Sequence, residues 1–434
     1  MKTTHVVSLH ALRKSLYWRI HFWAALIASP FALVATLTGL LYIFTPQIEV
    51  VLYRHLDRAA VGGTARPLDA IVAAATRAAP AGWTVQSVLP AASDAATTQV
   101  NFVSPMAGHA GHEGHGQSSV VVYVDPATAQ VAGSLASHDR FGSWAKRLHS
   151  RLLQNDSWRW MIELAASWLM VMLVTGVALW WPRGSSTALP QRGASGRRAW
   201  KQWHAFTGVA LALVSLVILT TGLTWCRYAG DQIRTLRDRT GQASPRMPKN
   251  LQSQPITGMP LDWQAALDAT RRQVPDRAWQ LTPPRGATGV WRAASVDRAR
   301  PDQHVALALD AGTGQRLYYA DWDQQTLFGK ATAIGIPLHR GEFGWWNQAL
   351  LLVFGLGILF SLVSGWVMFF RRRRPGSIGL PRLLPGAWRS ASVTGWITAA
   401  VLCLLMPLMA LSAACLVLLE CAILLRSTAR RVPS

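Results

Sequence analysis

Four predominantly apolar stretches, Phe22–Phe44, Trp160–Trp181, Ala205–Trp225 and Trp345–Phe370, each have the length of about 20 residues that a helix needs to cross a bilayer. A backbone inside lipid finds no water to bond. Such stretches therefore fold as helices whose N–H and C=O groups pair within the segment. A fifth stretch, Val393–Leu425, is too long for one straight crossing and short for two. Pro407 near its middle favours one kinked span, with a hairpin as the other solution. The first stretch is too long for a signal-peptide core and lacks a small-residue cleavage site, so it is expected to stay as an anchor.

Charge gives the direction. The 43 Lys and Arg outnumber the 21 Asp and Glu, a net charge of +22, and much of the excess sits in short segments beside the apolar blocks. These are Arg13, Lys14 and Arg19, then Arg183, Arg192, Arg197, Arg198 and Lys201, then Arg371–Arg374. That distribution favours a lipid partner over a nucleic acid, and the positive-inside rule makes these segments cytoplasmic. The long segments Thr45–Ser157 and Arg227–Phe343 then lie on the other side, the periplasm if the membrane is a bacterial inner membrane. Tryptophans near the span ends, among them Trp18, Trp160, Trp225 and Trp345, fit an aromatic belt. Cys226, Cys403, Cys415 and Cys421 form no CxxC pair and read as packing residues.

The chain reads twice as span, long segment, span. HFWAALIASPFALVATLTGL from His21 matches HAFTGVALALVSLVILTTGL from His204, with His21 to Gly39 and His204 to Gly222 both 18 residues apart. LHSRLL at Leu148 matches LHRGEF at Leu338, and Gly176 and Gly365 follow their histidines by 27 and 26 residues. In the long segments, LDAIVAAATRAAPAGWTVQSVLP from Leu68 matches LDWQAALDATRRQVPDRAWQLTPP from Leu261. SVVVYVDPATAQVAGSL around Asp125 matches HVALALDAGTGQRLYYA around Asp310. Each copy reads as an amphipathic helix followed by strands joined at tight turns, a small α+β domain.

The expected fold is thus a membrane α-helical bundle with an internal two-fold repeat, made of four core spans and a C-terminal apolar helix and carrying two small α+β domains. In chain order it has an N-terminal segment 1–21, a span 22–44, a domain 45–157, a span 158–181, a basic loop 182–203 and a span 204–226. A domain 227–343, a span 344–370, a basic loop 371–391, the apolar helix 392–425 and a tail 426–434 complete it.

Four of the 12 histidines occupy equivalent positions in the repeat. His21 and His204 fall at the cytoplasmic ends of the first and third spans, and His149 and His339 at the periplasmic ends of the second and fourth. Two imidazoles on facing helices can hold a haem iron from both sides, which fills its axial positions and favours electron transfer. Two such centres, one at each face, would form a wire through the membrane, with two non-covalent b haems per chain because no CxxCH is present. Eighteen residues are five helical turns, so Gly39 lies on the face that carries His21 and Gly222 on that of His204, about 27 Å along. With Gly176 and Gly365, these glycines would let a macrocycle approach the backbone. The other reading makes the histidines headgroup or carbonyl partners and the glycines helix contacts. Four residues in two symmetric pairs favour ligation.

At these residues the chain resembles the PepSY-associated transmembrane family over nearly its whole length. The pieces are the start at Arg19, VYVDPATAQV, LHSRLL with TGVALWWPR, KQWHAFTG at Lys201, and LHRGEFGW. The resemblance implies PepSY-like periplasmic domains and, in some members, a di-haem inner-membrane reductase that reduces ferric siderophores and releases Fe(II). Hard oxygen ligands hold Fe(III) far better than Fe(II), so one electron acts as a release trigger. His21 and His204 would hold the inner haem, and His149 and His339 the outer one. A quinol or a cytoplasmic reductase would supply electrons, since no nicotinamide or flavin fingerprint is present. The rival readings are a non-redox PepSY membrane protein that binds partners or regulates a peptidase, and an iron or siderophore permease, against which the spans carry few polar residues.

GHAGHEGHG, with His109, His112, Glu113 and His115, has metal-ligand density, though a Gly/His insert in one half only cannot belong to a symmetric core. Arg159 and Glu163, at i and i+4, are expected to neutralise each other. Arg147, Arg151 and Arg340 flank the outer histidines, where they would hold haem propionates, an acidic chelate or lipid headgroups. Glu420 stands alone in the fifth stretch without an assigned role.

Overall fold

The computed structural model describes residues 8–60, 63–105, 119–181, 189–255, 259–297, 299–377 and 379–429. The chain opens with α1 (Leu9–Ile43), started by Ser8, whose hydroxyl accepts the Ala11 N–H at 3.2 Å. Two short helices, α2 (Thr45–Leu52) and α3 (Arg54–Asp57), lead to α4 (Leu68–Ala78). Four strands follow, β1 (Thr84–Leu89), β2 (Thr98–Val103), β3 (Ser119–Val124) and β4 (Val131–Ala136), and then α5 (Phe141–Arg151) and α6 (Trp160–Trp180). The second half runs α7 (Gly196–Ala210), α8 (Ala212–Leu223), α9 (Tyr228–Arg239) and α10 (Trp263–Gln273). Strands β5 (Trp279–Thr282), β6 (Val290–Ser295), β7 (Ala306–Asp310) and β8 (Arg316–Ala320) come next, then α11 (Leu327–Arg340) and α12 (Trp345–Arg372). The chain continues with α13 (Val393–Leu405) and α14 (Pro407–Ala429).

The segments Leu9–Ile43, Asp156–Trp180 and Trp345–Arg372 are long and apolar enough to cross a membrane, and α7 with α8 add a fourth if that bent pair is one span. This is a helical membrane protein with a sheet at one end of its bundle. Ala24, Ala28 and Ala32 are fully buried at every fourth position of α1, a small-residue stripe that lets a neighbouring helix approach closely. Ala165 and Leu362 close on that stripe from α6 and α12. The first helix starts well before the expected boundary at residue 22 and carries Arg13, Lys14 and Arg19 within it.

The strands form one antiparallel sheet in the order β4-β3-β2-β1-β5-β6-β7-β8. The two expected domains are therefore fused: β1 meets β5 at the middle, with Val88 opposite Leu281, and the order reads alike from either edge. Alternate positions along the strands point into one core. Phe102, Val122 and Val88 from the first half pack with Trp279, Leu281 and Leu307 from the second, beneath α4 and α10. Those helices are tied to each other as well. The Asp69 carboxylate accepts the Trp263 and Gln264 N–H groups at 2.9 and 3.0 Å, and the Gln264 side chain accepts the Leu68 N–H at 3.0 Å. Because two halves of apolar surface close on one another, neither is left with an exposed sheet edge at β1 or β5.

Three further sequence expectations change. The third span is bent by 59° at Leu211, between α7 and α8, so His204 and Gly222 do not share the face of one straight helix. Leu211 lies over Gly357 of α12, whose missing side chain admits it. The fifth apolar stretch is two helices broken at Met406, and Pro407 is the first residue of the second rather than a kink within one, the place where its missing N–H costs least. Both arms return to the first turns of α1. Arg13 Nε donates to the Ser390 carbonyl at 2.7 Å just before α13, while Glu420 of α14 accepts from Arg19. Lastly, Arg159 and Glu163 do not pair. Arg159 lies 3.3 Å from Asp156, and the fully buried Glu163 accepts the Tyr228 and Ala229 N–H groups at 3.0 and 2.8 Å. A carboxylate there satisfies unpaired donors at the start of α9 and complements its dipole.

Candidate functional site

His149 and His339 are not on the spans. They sit at the C-terminal ends of α5 and α11, separate helices that precede α6 and α12 and run from the sheet into the bundle. Both helices end in the left-handed conformation, at Leu152 and at Gly341. The reversal carries the chain from α5 or α11 into the following span and leaves the histidine packed inward. Arg140, just before α5, fixes that helix to the sheet: its guanidinium reaches Glu49, Asp57 and the Tyr123 hydroxyl at 2.9, 2.8 and 2.8 Å.

Each of the four histidines meets a hydroxyl and a glycine next to each other on a neighbouring helix. His21 Nδ1 lies 3.0 Å from Thr175 Oγ1, His149 Nδ1 3.1 Å from Thr38 Oγ1, His204 Nδ1 2.8 Å from Ser364 Oγ and His339 Nδ1 3.2 Å from Thr221 Oγ1. The glycine that follows each hydroxyl lies under the ring. A Cβ built on Gly39, Gly176, Gly222 or Gly365 would stand 3.2, 3.4, 3.0 or 3.8 Å from the imidazole Cε1. These glycines were expected to make room for a macrocycle. A side chain at Gly39, Gly176 or Gly222 would crowd the histidine ring beside it, and Gly39 and Gly222 also line a cavity shared by His149 and His339.

The hydroxyls also decide which ring nitrogen carries the proton. Thr175, Thr38 and Thr221 each donate to the carbonyl four residues back, at 2.7, 2.8 and 2.9 Å, and Ser364 donates to Ser361 at 3.1 Å. With its own hydrogen committed, the oxygen is left to accept, so Nδ1 must be the donor. At His339 the Ile218 carbonyl, which can only accept, is 3.0 Å from Nδ1 and demands the same. Nε2 then carries the lone pair, the form in which imidazole binds a metal.

His21 and His204 face each other at the end of the bundle away from the sheet, with ring centroids 6.4 Å apart and planes at 88°. Two metal–nitrogen bonds of about 2 Å and the distance from nitrogen to ring centre, about 1.1 Å on each side, give about 6.2 Å for two imidazoles that share one metal ion. At the sheet end, His149 and His339 line one cavity of about 250 Å³. Its walls are apolar, with Ala35, Leu40, Ala165, Leu169, Leu219 and Phe354 among them, and Lys146, Arg159 and Arg340 are its cations. The donor set and free Nε2 at both pairs, together with the apolar walls at the outer one, are chemistry that fits a haem.

Of the three flanking arginines picked from sequence, only Arg340 reaches this cavity. Arg147 donates to the His138 carbonyl at 3.0 Å, and Arg151 pairs with Asp156. Lys146 and Arg159 were missed in that role, as were the four hydroxyls. The hydroxyl signal was legible as a Thr or Ser before every repeat glycine. His109, His112, Glu113 and His115 lie outside the described residues. Among the described residues, no group of three or more His, Cys, Asp or Glu is placed to hold a bare metal ion.

Fold and site together define a helical membrane protein that carries paired, half-buried histidines and a sheet at one end. The PepSY-associated TM region family matches residues 18–372, and the chain belongs to it. No curated protein matches the chain.

Proposed function

We propose that this protein is a haem-containing reductase of a bacterial inner membrane, which moves electrons from the cytoplasmic side to a ferric siderophore in the periplasm and so releases Fe(II). The observation that carries this reading is the fourfold unit of histidine, hydroxyl and glycine, repeated as one pair at each end of the bundle. Haem held between two imidazoles supplies one-electron transfer without an open iron position.

The chain's own residues supply the rest. Thr175 and Ser364 hold the inner rings, and Thr38 and Thr221 the outer ones, each in the tautomer that presents Nε2. Apolar walls exclude water from the outer cavity and keep its dielectric low. The basic ends of the spans support a periplasmic position for the sheet, and the palindromic strand order supports descent of the chain from two copies of one half.

The test is a reduced-minus-oxidised visible spectrum of detergent-purified protein, with haem and protein both quantified. Two b haems per chain are expected, with His149→Ala or His339→Ala leaving one. Folded protein from haem-replete cells that holds no haem would overturn the proposal.

A further inference from the structure

The outer cavity has a polarity. Its floor is formed deeper in the bundle by Ala35 and Thr36 of α1, Ala165 and Leu169 of α6, and Ile358 of α12. Its cations all come from segments at the sheet end. Lys146 is on α5 one turn before His149, Arg159 closes the short turn Asp156–Arg159 before α6, and Arg340 follows His339. Lys146 Nζ lies 6.0 Å from the centre of the Trp225 ring, and Arg340 Nε donates to the Tyr42 hydroxyl at 3.1 Å.

The acids on this rim are Asp156, shared by Arg151 and Arg159, and Glu342, 2.9 Å from Arg340. The Arg159 side chain is 38% exposed and its Nη2 lies 3.3 Å from Asp156, but its Nε is shut off from solvent and has no hydrogen-bond partner, and a buried donor left without an acceptor costs free energy.

We infer that Lys146, Arg159 and Arg340 form a carboxylate-binding rim that orients a dicarboxylate macrocycle in the cavity between His149 and His339, its acid groups toward the sheet. The inference rests on the haem reading above and adds which residues hold the acid groups and which way the ring faces. Each charge-assisted pair adds affinity and fixes the ring against rotation in its own plane.

The test is a titration of haem-free His204→Ala protein, in which the outer pair alone is complete, with iron protoporphyrin IX and with its dimethyl ester. Loss of the charge-assisted bonds should make the ester bind about 10- to 100-fold more weakly. Replacing Lys146, Arg159 and Arg340 together by Gln should bring the two affinities level. If the triple variant does not fold, Arg159→Gln alone should reduce the preference. Equal affinities for the two compounds with the rim intact, or a preference that survives its removal, would overturn the rim and leave the haem reading standing. Failure of the chain with all four histidines to take up either compound would overturn both.

Discussion

A histidine that binds a metal is only as good as the group that holds its other nitrogen, and if these four do so, a neutral hydroxyl supports each of them. A carboxylate in that position would draw the Nδ1 proton and add charge inside the bundle, whereas Thr38, Thr175, Thr221 and Ser364 orient the ring without adding any. Thr38→Val keeps the shape and removes the acceptor. We expect it to lower haem affinity at the outer pair by about 10- to 100-fold, with Thr38→Ser restoring most of it, read by spectrophotometric titration. Equal affinity in the Val variant would reduce Thr38 to a packing residue. The histidines themselves were legible in the sequence, because two matching spacings single out four of 12. The purpose of the glycines was not. An interval of 18 residues says which face of a helix a residue occupies, but His149 reaches Gly39 from α5, and no spacing within α1 reports what another helix lays against it.

At the level of elements the same limit decides what Glu420 does. Alone in an apolar run it had no assignable role, since its partners are about 400 residues away in sequence. In the structure Arg19 donates to both of its oxygens at 2.7 and 2.9 Å, Trp23 donates as well, and Arg19 and Glu420 are 7% and 6% exposed. This pair pins the α13–α14 hairpin, which lies beyond residue 372 where the family match ends, to the turn of α1 that carries His21. A buried pair need not add stability over an apolar substitute, but one stranded partner is costly. Glu420→Ala should therefore destabilise the protein by about 3–5 kcal/mol, with the Arg19→Met/Glu420→Leu double variant much closer to the original, as read by thermal unfolding in detergent. A double variant as unstable as the single one would show that the hairpin needs the charges themselves. The break at Met406 was half legible, because Pro407 marks it but does not say whether the chain reverses. The bend at Leu211 was not, for no proline stands there and its cause is the fit of Leu211 over Gly357.

For the whole molecule, the fused sheet is the base on which His149 and His339 stand, since β4 runs into α5 and β8 into α11. The matching motifs around Asp125 and Asp310 were visible in the sequence as strand, turn and strand, but their fusion was not, because one register pair across the middle, Val88 with Leu281, joins two separately readable halves. The two aspartates are the acid-sensitive points of this base. Burial raises the carboxyl pKa of Asp125, but the N–H groups of Thr128, Ala60 and Ala127 outweigh it, and Thr313, Gln254 and Gly312 do the same for Asp310, so both stay below the usual carboxylate range. A depressed folded pKa means that the unfolded chain binds the proton more tightly. The stabilisation is then fully present above the unfolded value of about 3.9 and is lost as pH falls through the folded one. Thermal midpoints should accordingly be insensitive to these two groups from pH 7 to 5 and fall below about pH 4. Asn at both positions serves one set of N–H groups per residue and strands the other, so the double variant should start less stable and lose less on acidification. An unchanged slope in that variant would mean that the acid response comes from other carboxylates. Since α5 and α11 hang from this sheet while His21 and His204 do not, acid should loosen the outer pair first, with haem lost from it at a higher pH than from the inner pair.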